Sequence, residues 1–177
     1  MAMGYGIMAY RVSLSRLKSR FGVSVSSKKS SIRKKCFPIG RRIDDMGSDD
    51  APRLMQVVEE LLAAKVEHPE YAYLYWYALK GFIEDLGAPM SNSAWYPAEA
   101  DLFYELPEFK LYDIDAPMAL PRPDDFPVVF VLRAEQNTQA LVEKMHSNIK
   151  EPEQLQEVLN WLQSAQRYKQ DLVLYYH

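Results

Sequence analysis

Three short apolar runs in the chain predict β-strands. The clearest is Val128–Leu132, five consecutive apolar residues that follow Pro127. A run this short and this rich in β-branched residues favours a strand over a helix, and its unbroken apolarity indicates that both faces are covered. Tyr5–Val12 and Leu172–Tyr176 have a similar character near the two ends of the sequence. We therefore expect a small mixed sheet that brings together N-terminal, middle and C-terminal strands.

Apolar residues that recur at helical spacing predict four longer helices, at 51–65, 69–86, 134–147 and 152–169. A shorter helix is predicted directly after the first strand, over Leu14–Phe21. The helix at 69–86 is apolar and aromatic nearly all round, which is typical of a helix buried on most faces. Its tyrosines between Tyr71 and Tyr77 either pack in the core or form the wall of a pocket. The predicted fold class is α+β, with the small mixed sheet packed by four or five helices.

Charge is divided unevenly along the chain. Residues 1–42 contain 11 of the 21 basic residues and no acidic ones, so the remaining 10 basic and all 24 acidic residues lie in 43–177. Such a division indicates a charged partner or intramolecular pairing. We expect a single domain over 1–177, with a basic insert at 23–42 that is either mobile or docked on the acidic remainder. A loop or short strand followed by a short basic helix is predicted within this insert.

The remaining composition offers little chemistry. The single cysteine, Cys36, excludes an internal disulfide and fits a reducing cytoplasm. No apolar run approaches the ~20 residues of a membrane span, so no membrane partner is expected. The sequence contains no histidines at metal-ligand spacing, no glycine-rich phosphate loop and no nucleophilic serine turn. Asp113 and Asp115 alone are too few for a divalent cation. We predict no cofactor, no metal, no catalytic residue and a cytoplasmic location.

The segment 95–125 is the best candidate for an interaction surface. It combines aromatic side chains with eight acidic residues and only two basic ones. Trp and Tyr are enriched at binding hot spots, and clustered carboxylates attract basic partners. The predicted binding residues are Trp95, Tyr96, Tyr104, Asp113, Asp115, Asp124 and Asp125. The same pattern fits a surface loop that anchors itself with its own aromatic residues, and the sequence favours neither interpretation.

Three blocks of the sequence form a recognisable pattern. They are GYGIMAYRVSLSRLKSRFG near the N-terminus, PRPDDFPVVFVL in the middle and WLQSAQRYKQDLVLYY near the C-terminus. Together these blocks resemble a bacterial family of domains of unknown function. In that family a YGxxxY strand opens the chain, an LPxPxDFP segment precedes a buried strand, and a DLVxFYY-like strand closes it. The overall layout is also similar to the YfbM-like family. Neither resemblance implies a reaction, but small bacterial proteins of such families include immunity factors of secreted toxins.

We expect a non-enzymatic binding protein, with an immunity-type inhibitor of a basic protein as one form of it. The expected interface is the acidic aromatic surface of 95–125. One alternative is an enzyme that acts on a small molecule in a pocket lined by Tyr71–Tyr77 and the carboxylates of 113–125. Another is a weak nucleic-acid binder that uses the cations of 28–42. Nucleic acid is the less favoured partner, because Phe37 alone offers a ring for base stacking in that stretch.

Overall fold

The computed structural model describes residues 5–177, which form two compact units. The described part of the sheet unit contains 5–13, 88–114 and 128–177. The helical unit contains 14–87 and 115–127. Each unit is therefore assembled from stretches that are far apart in the sequence.

The sheet unit is built around a five-stranded sheet. Its strands in chain order are β1 (Ile7–Val12), β2 (Ala88–Pro89), β3 (Phe109–Leu111), β4 (Val128–Leu132) and β5 (Asp171–Tyr176). Their order across the sheet is β2-β1-β5-β4-β3. Leu174 of β5 lies opposite Ala9 on one side and Phe130 on the other. The predicted neighbourhood of N-terminal, middle and C-terminal strands is confirmed, and the sequence missed only the two short edge strands.

All of the strand pairings in the described residues are antiparallel, so the prediction of a mixed sheet was wrong. Apolar runs identify strands but do not encode their direction. The connection from β4 to β5 contains two helices of ten and 17 residues. A pair of helices returns the chain to the end of the sheet from which it left, whereas a single crossover helix would deliver it to a parallel strand. The α+β class itself is confirmed.

The described residues contain seven α-helices: α1 (Leu14–Lys18), α2 (Ser26–Asp44), α3 (Leu54–Leu62), α4 (Ala72–Leu86), α5 (Asp101–Glu105), α6 (Gln139–Asn148) and α7 (Pro152–Tyr168). Short 3₁₀ turns at Pro69–Tyr71, Ser93–Trp95 and Ala134–Gln136 complete the helical elements. The predicted helices at 69–86 and 152–169 agree closely with the structure. Residues 134–147 divide into a 3₁₀ turn and α6, which begins after Thr138 because its hydroxyl accepts from the Leu141 amide.

The 23–42 stretch is more ordered in structure than its composition suggests. Instead of a short helix, it contributes most of the 19 residues of α2. Ile32, Cys36, Ile39 and Ile43 are buried in the helical unit, where α2 packs against α3 and α4. Pro38 lies inside the helix on its exposed face, so water can reach the carbonyl that loses its intrahelical donor. The apolar stripe therefore decides the conformation despite the proline and the cations.

The central element of the helical unit is α4. Ten of its 15 residues are buried, including Tyr75, Trp76, Leu79 and Phe82. Such burial confirms the prediction of a helix covered on most faces. The buried set also contains Lys80, whose position on this apolar helix places an ammonium group inside the unit.

Candidate functional site

The seven predicted binding residues are divided between the two units. The sheet unit contains Trp95, Tyr96, Tyr104 and Asp113. The helical unit contains Asp115, Asp124 and Asp125. Each unit therefore has its own candidate site.

Trp95 is not part of an exposed surface, which corrects its prediction as an exposed binding residue. Only 3% of its surface is exposed. Its ring lies 5.3 Å from Phe103 and 5.9 Å from Trp161, measured between centroids. The indole N–H donates to the carbonyl of Gln154 at 3.0 Å. Trp95 therefore anchors its loop in the core of the sheet unit. This agrees with the second interpretation of 95–125, a surface loop anchored by its own aromatic residues.

Three half-exposed tyrosines lie around the end of β5. Tyr5, Tyr96 and Tyr104 expose 50%, 50% and 53% of their surface. The Tyr5 ring lies 6.1 Å from the buried ring of Tyr176. The Tyr104 ring meets Phe130 of β4 edge-on, with 4.8 Å between centroids. The rings of Tyr5 and Tyr104 thus pack on aromatic side chains of the sheet, which lowers the side-chain entropy that a partner would have to remove on binding.

Tyr96 is held against the start of β1 by a glycine. A Cβ atom at Gly6 would overlap the Tyr96 ring, so this packing requires glycine. The amide of Ala98 also donates to the carbonyl of Tyr5 at 3.0 Å. These two contacts fix the backbone that carries Tyr96 beside the backbone that carries Tyr5.

Three exposed carboxylates, Glu99, Asp101 and Glu105, belong to the same segment as Tyr96 and Tyr104. The hydroxyl of Tyr176 donates to Glu99 at 2.9 Å. Burial, the bond to Glu99 and the charges of Glu99 and Asp101 raise the pKa of Tyr176 to about 12. Burial and the charge of Asp101 also raise the pKa of Tyr104. Within residues 5–177, no Lys, Arg or His forms an ion pair with Glu99, Asp101 or Glu105.

We call these six residues the tyrosine–carboxylate surface: Tyr5, Tyr96, Tyr104, Glu99, Asp101 and Glu105. It retains Tyr96 and Tyr104 from the predicted site and adds four residues. The apolar run places Tyr5 in the first predicted strand and gives no signal that its side chain is exposed. The acidic residues were visible in the composition of 95–125, but their spacing gave no reason to prefer them over the four predicted aspartates.

Asp113 is engaged in a local ion pair. Its carboxylate accepts a hydrogen bond from the guanidinium of Arg133 at 2.9 Å. The guanidinium also donates to the backbone carbonyl of Asp113 at 2.8 Å. Much of the negative charge of Asp113 is therefore neutralised inside the sheet unit. This ion pair makes Asp113 a weaker candidate for attracting a basic partner than Glu99, Asp101 and Glu105, which form no ion pair within residues 5–177.

The helical unit presents a second candidate site, an open cleft of about 420 Å³. Asp124 and Asp125 are exposed at this cleft. The segment that carries them is anchored on α4, since the indole N–H of Trp76 donates to the Pro121 carbonyl at 2.8 Å. We call it the acidic cleft, and its lining residues are Pro69, Glu70, Ala72, Tyr73, Arg122, Pro123, Asp124, Asp125 and Phe126. Tyr73 is the only tyrosine of Tyr71–Tyr77 in that lining.

A buried polar network lies in the same unit. Glu60 of α3 accepts hydrogen bonds from the Tyr75 hydroxyl and, at 2.8 Å, from the Glu67 amide. Its second oxygen lies 2.6 Å from Nδ1 of His68. Burial opposes ionisation of Glu60, but these hydrogen bonds hold its pKa below the usual value. The sequence signal was an acidic residue at an apolar helical position between Val57 and Leu61.

The chemistry of a metal centre is not present in the part of the chain that the structure describes. Residues 5–177 contain no group of three or more His, Cys, Asp or Glu side chains arranged to hold a metal ion. Among the same residues, no helix is both long and apolar enough to cross a bilayer. The two candidate sites are acidic surfaces with aromatic components.

Comparison with known proteins assigns a family. No curated protein and no solved structure matches the chain. One family model, described as a domain of unknown function (DUF7691), matches residues 3–177. This match covers nearly the entire chain and confirms the resemblance to an uncharacterised domain family. The chain belongs to the DUF7691 family of domains of unknown function.

Proposed function

We propose that this protein is a non-enzymatic binding protein whose tyrosine–carboxylate surface captures a basic protein. The observation that carries the proposal is the combination of three half-exposed tyrosines with three carboxylates that have no cationic partner in residues 5–177. Neighbouring carboxylates repel one another, so the approach of a basic patch lowers the electrostatic energy of this surface. The tyrosines supply contact area with few rotatable bonds.

An immunity-type inhibitor of a secreted toxin is the form of this function that we favour. A toxin that attacks nucleic acids needs a basic surface to bind phosphates, and an acidic aromatic patch is complementary to such a surface. We also place the protein in the bacterial cytoplasm. The resemblance to bacterial families and the buried thiol of Cys36, which has no cysteine with which to form a disulfide, support that location.

Charge reversal on this surface tests the proposal. The wild-type protein would be used to capture a basic partner from the host, and the purified pair would then be measured by calorimetry. We expect Asp101→Lys with Glu105→Lys, or Tyr104→Ala alone, to weaken binding roughly tenfold or more, as for hot-spot residues. Raising the salt concentration should weaken wild-type binding as well.

The matched control reverses two exposed glutamates elsewhere in the sheet unit, Glu135→Lys and Glu143→Lys. It carries the same change in net charge. If the control weakens binding as much as the reversal at Asp101 and Glu105, the attraction is a property of net charge and the assignment to this surface is wrong. Far-UV circular dichroism of each variant checks that the fold is kept.

The acidic cleft favours a second candidate function, the binding or turnover of a small cationic molecule. Its volume of about 420 Å³ is within the range of small-ligand pockets. Asp124 and Asp125 would pair with the cation while Tyr73 provides an aromatic wall. Exposed carboxylates of this kind bind cations, whereas a general acid or base is usually buried beside a charged neighbour. Binding is therefore favoured over catalysis here.

A polyamine provides the probe for the cleft. We expect spermidine to raise the melting temperature of the wild-type protein, and Asp124→Asn with Asp125→Asn to remove that rise. Asp49→Asn, an exposed aspartate of the same unit, is the matched control and should leave it unchanged. An equal response in all three proteins would assign the effect to unspecific charge screening and exclude the cleft.

A further inference from the structure

The exposed face of α2 carries a dense set of cations. An α-helix rotates by about 100° and rises by about 1.5 Å per residue, so residues seven positions apart lie nearly above one another. A first row along the helix is therefore formed by Lys28, Lys35 and Arg42, with about 10.5 Å between successive members. Lys34 and Arg41 form a second row beside it. All five side chains are exposed, whereas the opposite face of α2 is buried in the helical unit.

These five cations are not used by the fold. Within residues 5–177, Lys28, Lys34, Lys35, Arg41 and Arg42 form no ion pair. The contrast with Arg33 is clear, because its guanidinium binds both oxygens of Glu59, at 2.6 and 2.8 Å. Arg33 therefore joins α2 to α3, while the two rows remain available to an external anion.

An aromatic ring lies between the cations. Phe37 exposes 58% of its surface, and it follows Lys34 by three residues and precedes Arg41 by four. Residues at these spacings are neighbours on one helix face. A ring exposed among cations can stack on a planar group while the neighbouring cations contact the anionic groups attached to it. The hydroxyls of Ser27 and Ser30 lie on the same face and can donate to phosphate.

We propose that this face of α2 binds a single-stranded nucleic acid, with a base stacked on Phe37 and phosphates on the two rows of cations. Binding of single strands combines a cationic track for the backbone with aromatic rings for the bases. A flexible strand can follow one helix face and avoid the acidic remainder of the protein. A rigid duplex lacks both this flexibility and unstacked bases.

Two other polyanions fit the face less well. A bilayer surface binds a helix whose apolar face is free to insert. In α2 that face is buried, and within the helix, all of which the structure describes, Phe37 is the sole large apolar side chain that is exposed. An acidic protein would pair with the cations but has no particular use for a ring between them.

Fluorescence anisotropy with a labelled 12-nucleotide oligouridylate tests the proposal. We expect binding that weakens steeply with salt, and about a fivefold to 100-fold rise in Kd for Phe37→Ala, the usual effect of losing one stacked base. The double variant Lys35→Glu with Arg42→Glu should make salt dependence shallower. The slope of log K, the logarithm of the association constant, against log salt concentration should decrease in magnitude by about 0.7 for each phosphate that the variant no longer neutralises.

Two matched controls keep the test specific. Met46→Ala removes another apolar side chain, 71% exposed, just beyond the end of α2. Lys110→Glu reverses an exposed cation of the sheet unit. Both should bind the oligonucleotide like the wild type. The proposal is overturned if the wild type does not bind at low salt, if Phe37→Ala binds equally well, or if vesicles containing phosphatidylserine or a 12-base-pair duplex bind more tightly. These variants leave the tyrosine–carboxylate surface intact, so the two proposals can fail separately.

Discussion

At the scale of single residues, the buried carboxylate of Glu60 shows how a polar group is retained inside the helical unit. One oxygen accepts from the Tyr75 hydroxyl and the Glu67 amide, and the other is bonded to His68. The Tyr75 hydroxyl in turn accepts from the amide of His68 at 2.9 Å. A buried carboxylate without such partners would be costly, so these residues stabilise the loop between α3 and α4 as a group.

Removal of one hydroxyl should reveal this dependence. Tyr75→Phe deletes the donor to Glu60 and leaves the amide of His68 without its acceptor. We expect a loss of about 1–3 kcal/mol in the free energy of unfolding, the usual cost of unpaired buried polar groups. Urea denaturation measures it. The control is Tyr71→Phe, whose more exposed hydroxyl donates to the Asp50 carbonyl at 3.3 Å and should matter little. Equal losses in both variants would contradict the role of the network.

Lys80 predicts a dependence of stability on pH. Burial lowers its pKa from 10.5 to about 8, with Glu84 opposing the change and Arg42 adding to it. Below pH 8 the ammonium group is charged in both states, and the folded state bears the cost of burying it. Between pH 8 and 10.5 the folded protein releases this proton before the unfolded chain does, so stability rises with pH.

The test compares the wild type with Lys80→Met between pH 7 and pH 10. The difference in unfolding free energy should shift in favour of the wild type by up to about 3 kcal/mol, the equivalent of the change in pKa. Tyr75, Tyr77 and Tyr176, whose pKa is raised to about 12, titrate in both proteins and cancel in the difference. A difference that stays constant over this range would show that Lys80 is not desolvated.

At the scale of elements, the close approach of α2 and α4 depends on one glycine. A Cβ atom at Gly81 would overlap the sulfur of Cys36 and lie 3.1 Å from the Cys36 Cα atom. Burial is also the main cause that raises the pKa of the Cys36 thiol to about 12, as expected for a structural thiol. The interface between the two helices thus leaves no room for a methyl group.

Gly81→Ala should therefore destabilise the protein by about 1–3 kcal/mol, as overpacking of a close interface does. Gly40→Ala is the matched control, because it is also helical and its nearest contact would be an ordinary 3.5 Å from Leu54. Helix propensity alone predicts a small gain for that control. In Gly81→Ala, a second change of Cys36→Ala should recover part of the loss. Thermal melts of the wild type, the two single variants and the double variant measure these changes in stability. If Gly81→Ala melts at the wild-type temperature, the close contact between the two helices is refuted.

The elements also show what the sequence could and could not predict. The strands β1, β4 and β5 were predicted from short apolar runs, and the helices α4 and α7 from apolar residues that recur at helical spacing. The two-residue and three-residue strands at the sheet edges carry no such pattern, and pairing with β1 and β4 creates them. The length of α2 was missed since Pro38 and many cations obscured the stripe of Ile32, Cys36, Ile39 and Ile43.

At the scale of the whole molecule, the candidate sites were harder to predict than the fold. Composition identified 95–125 as acidic and aromatic, but burial depends on contacts with distant residues. Trp95 is buried because Trp161, 66 positions away in the sequence, covers it. Tyr5 joins the site because it lies beside Tyr176 at the other end of the chain. Residue types alone therefore predict which segment carries the site, whereas packing on the sheet determines which of its side chains are exposed to a partner.

The same sheet makes the end of the chain essential to the sheet unit. Truncation after Gln170 removes β5, which pairs with both β1 and β4 and buries Leu172–Tyr176. The two remaining strands would lose their shared partner and expose apolar surface on both sides of the gap, a cost that exceeds the marginal stability of a domain. We expect the truncated protein to lose its near-UV circular dichroism signal and its cooperative melt, while a control that lacks only His177 keeps both. A truncated chain that melted at the wild-type temperature would show that β5 is not the strand on which the sheet is assembled.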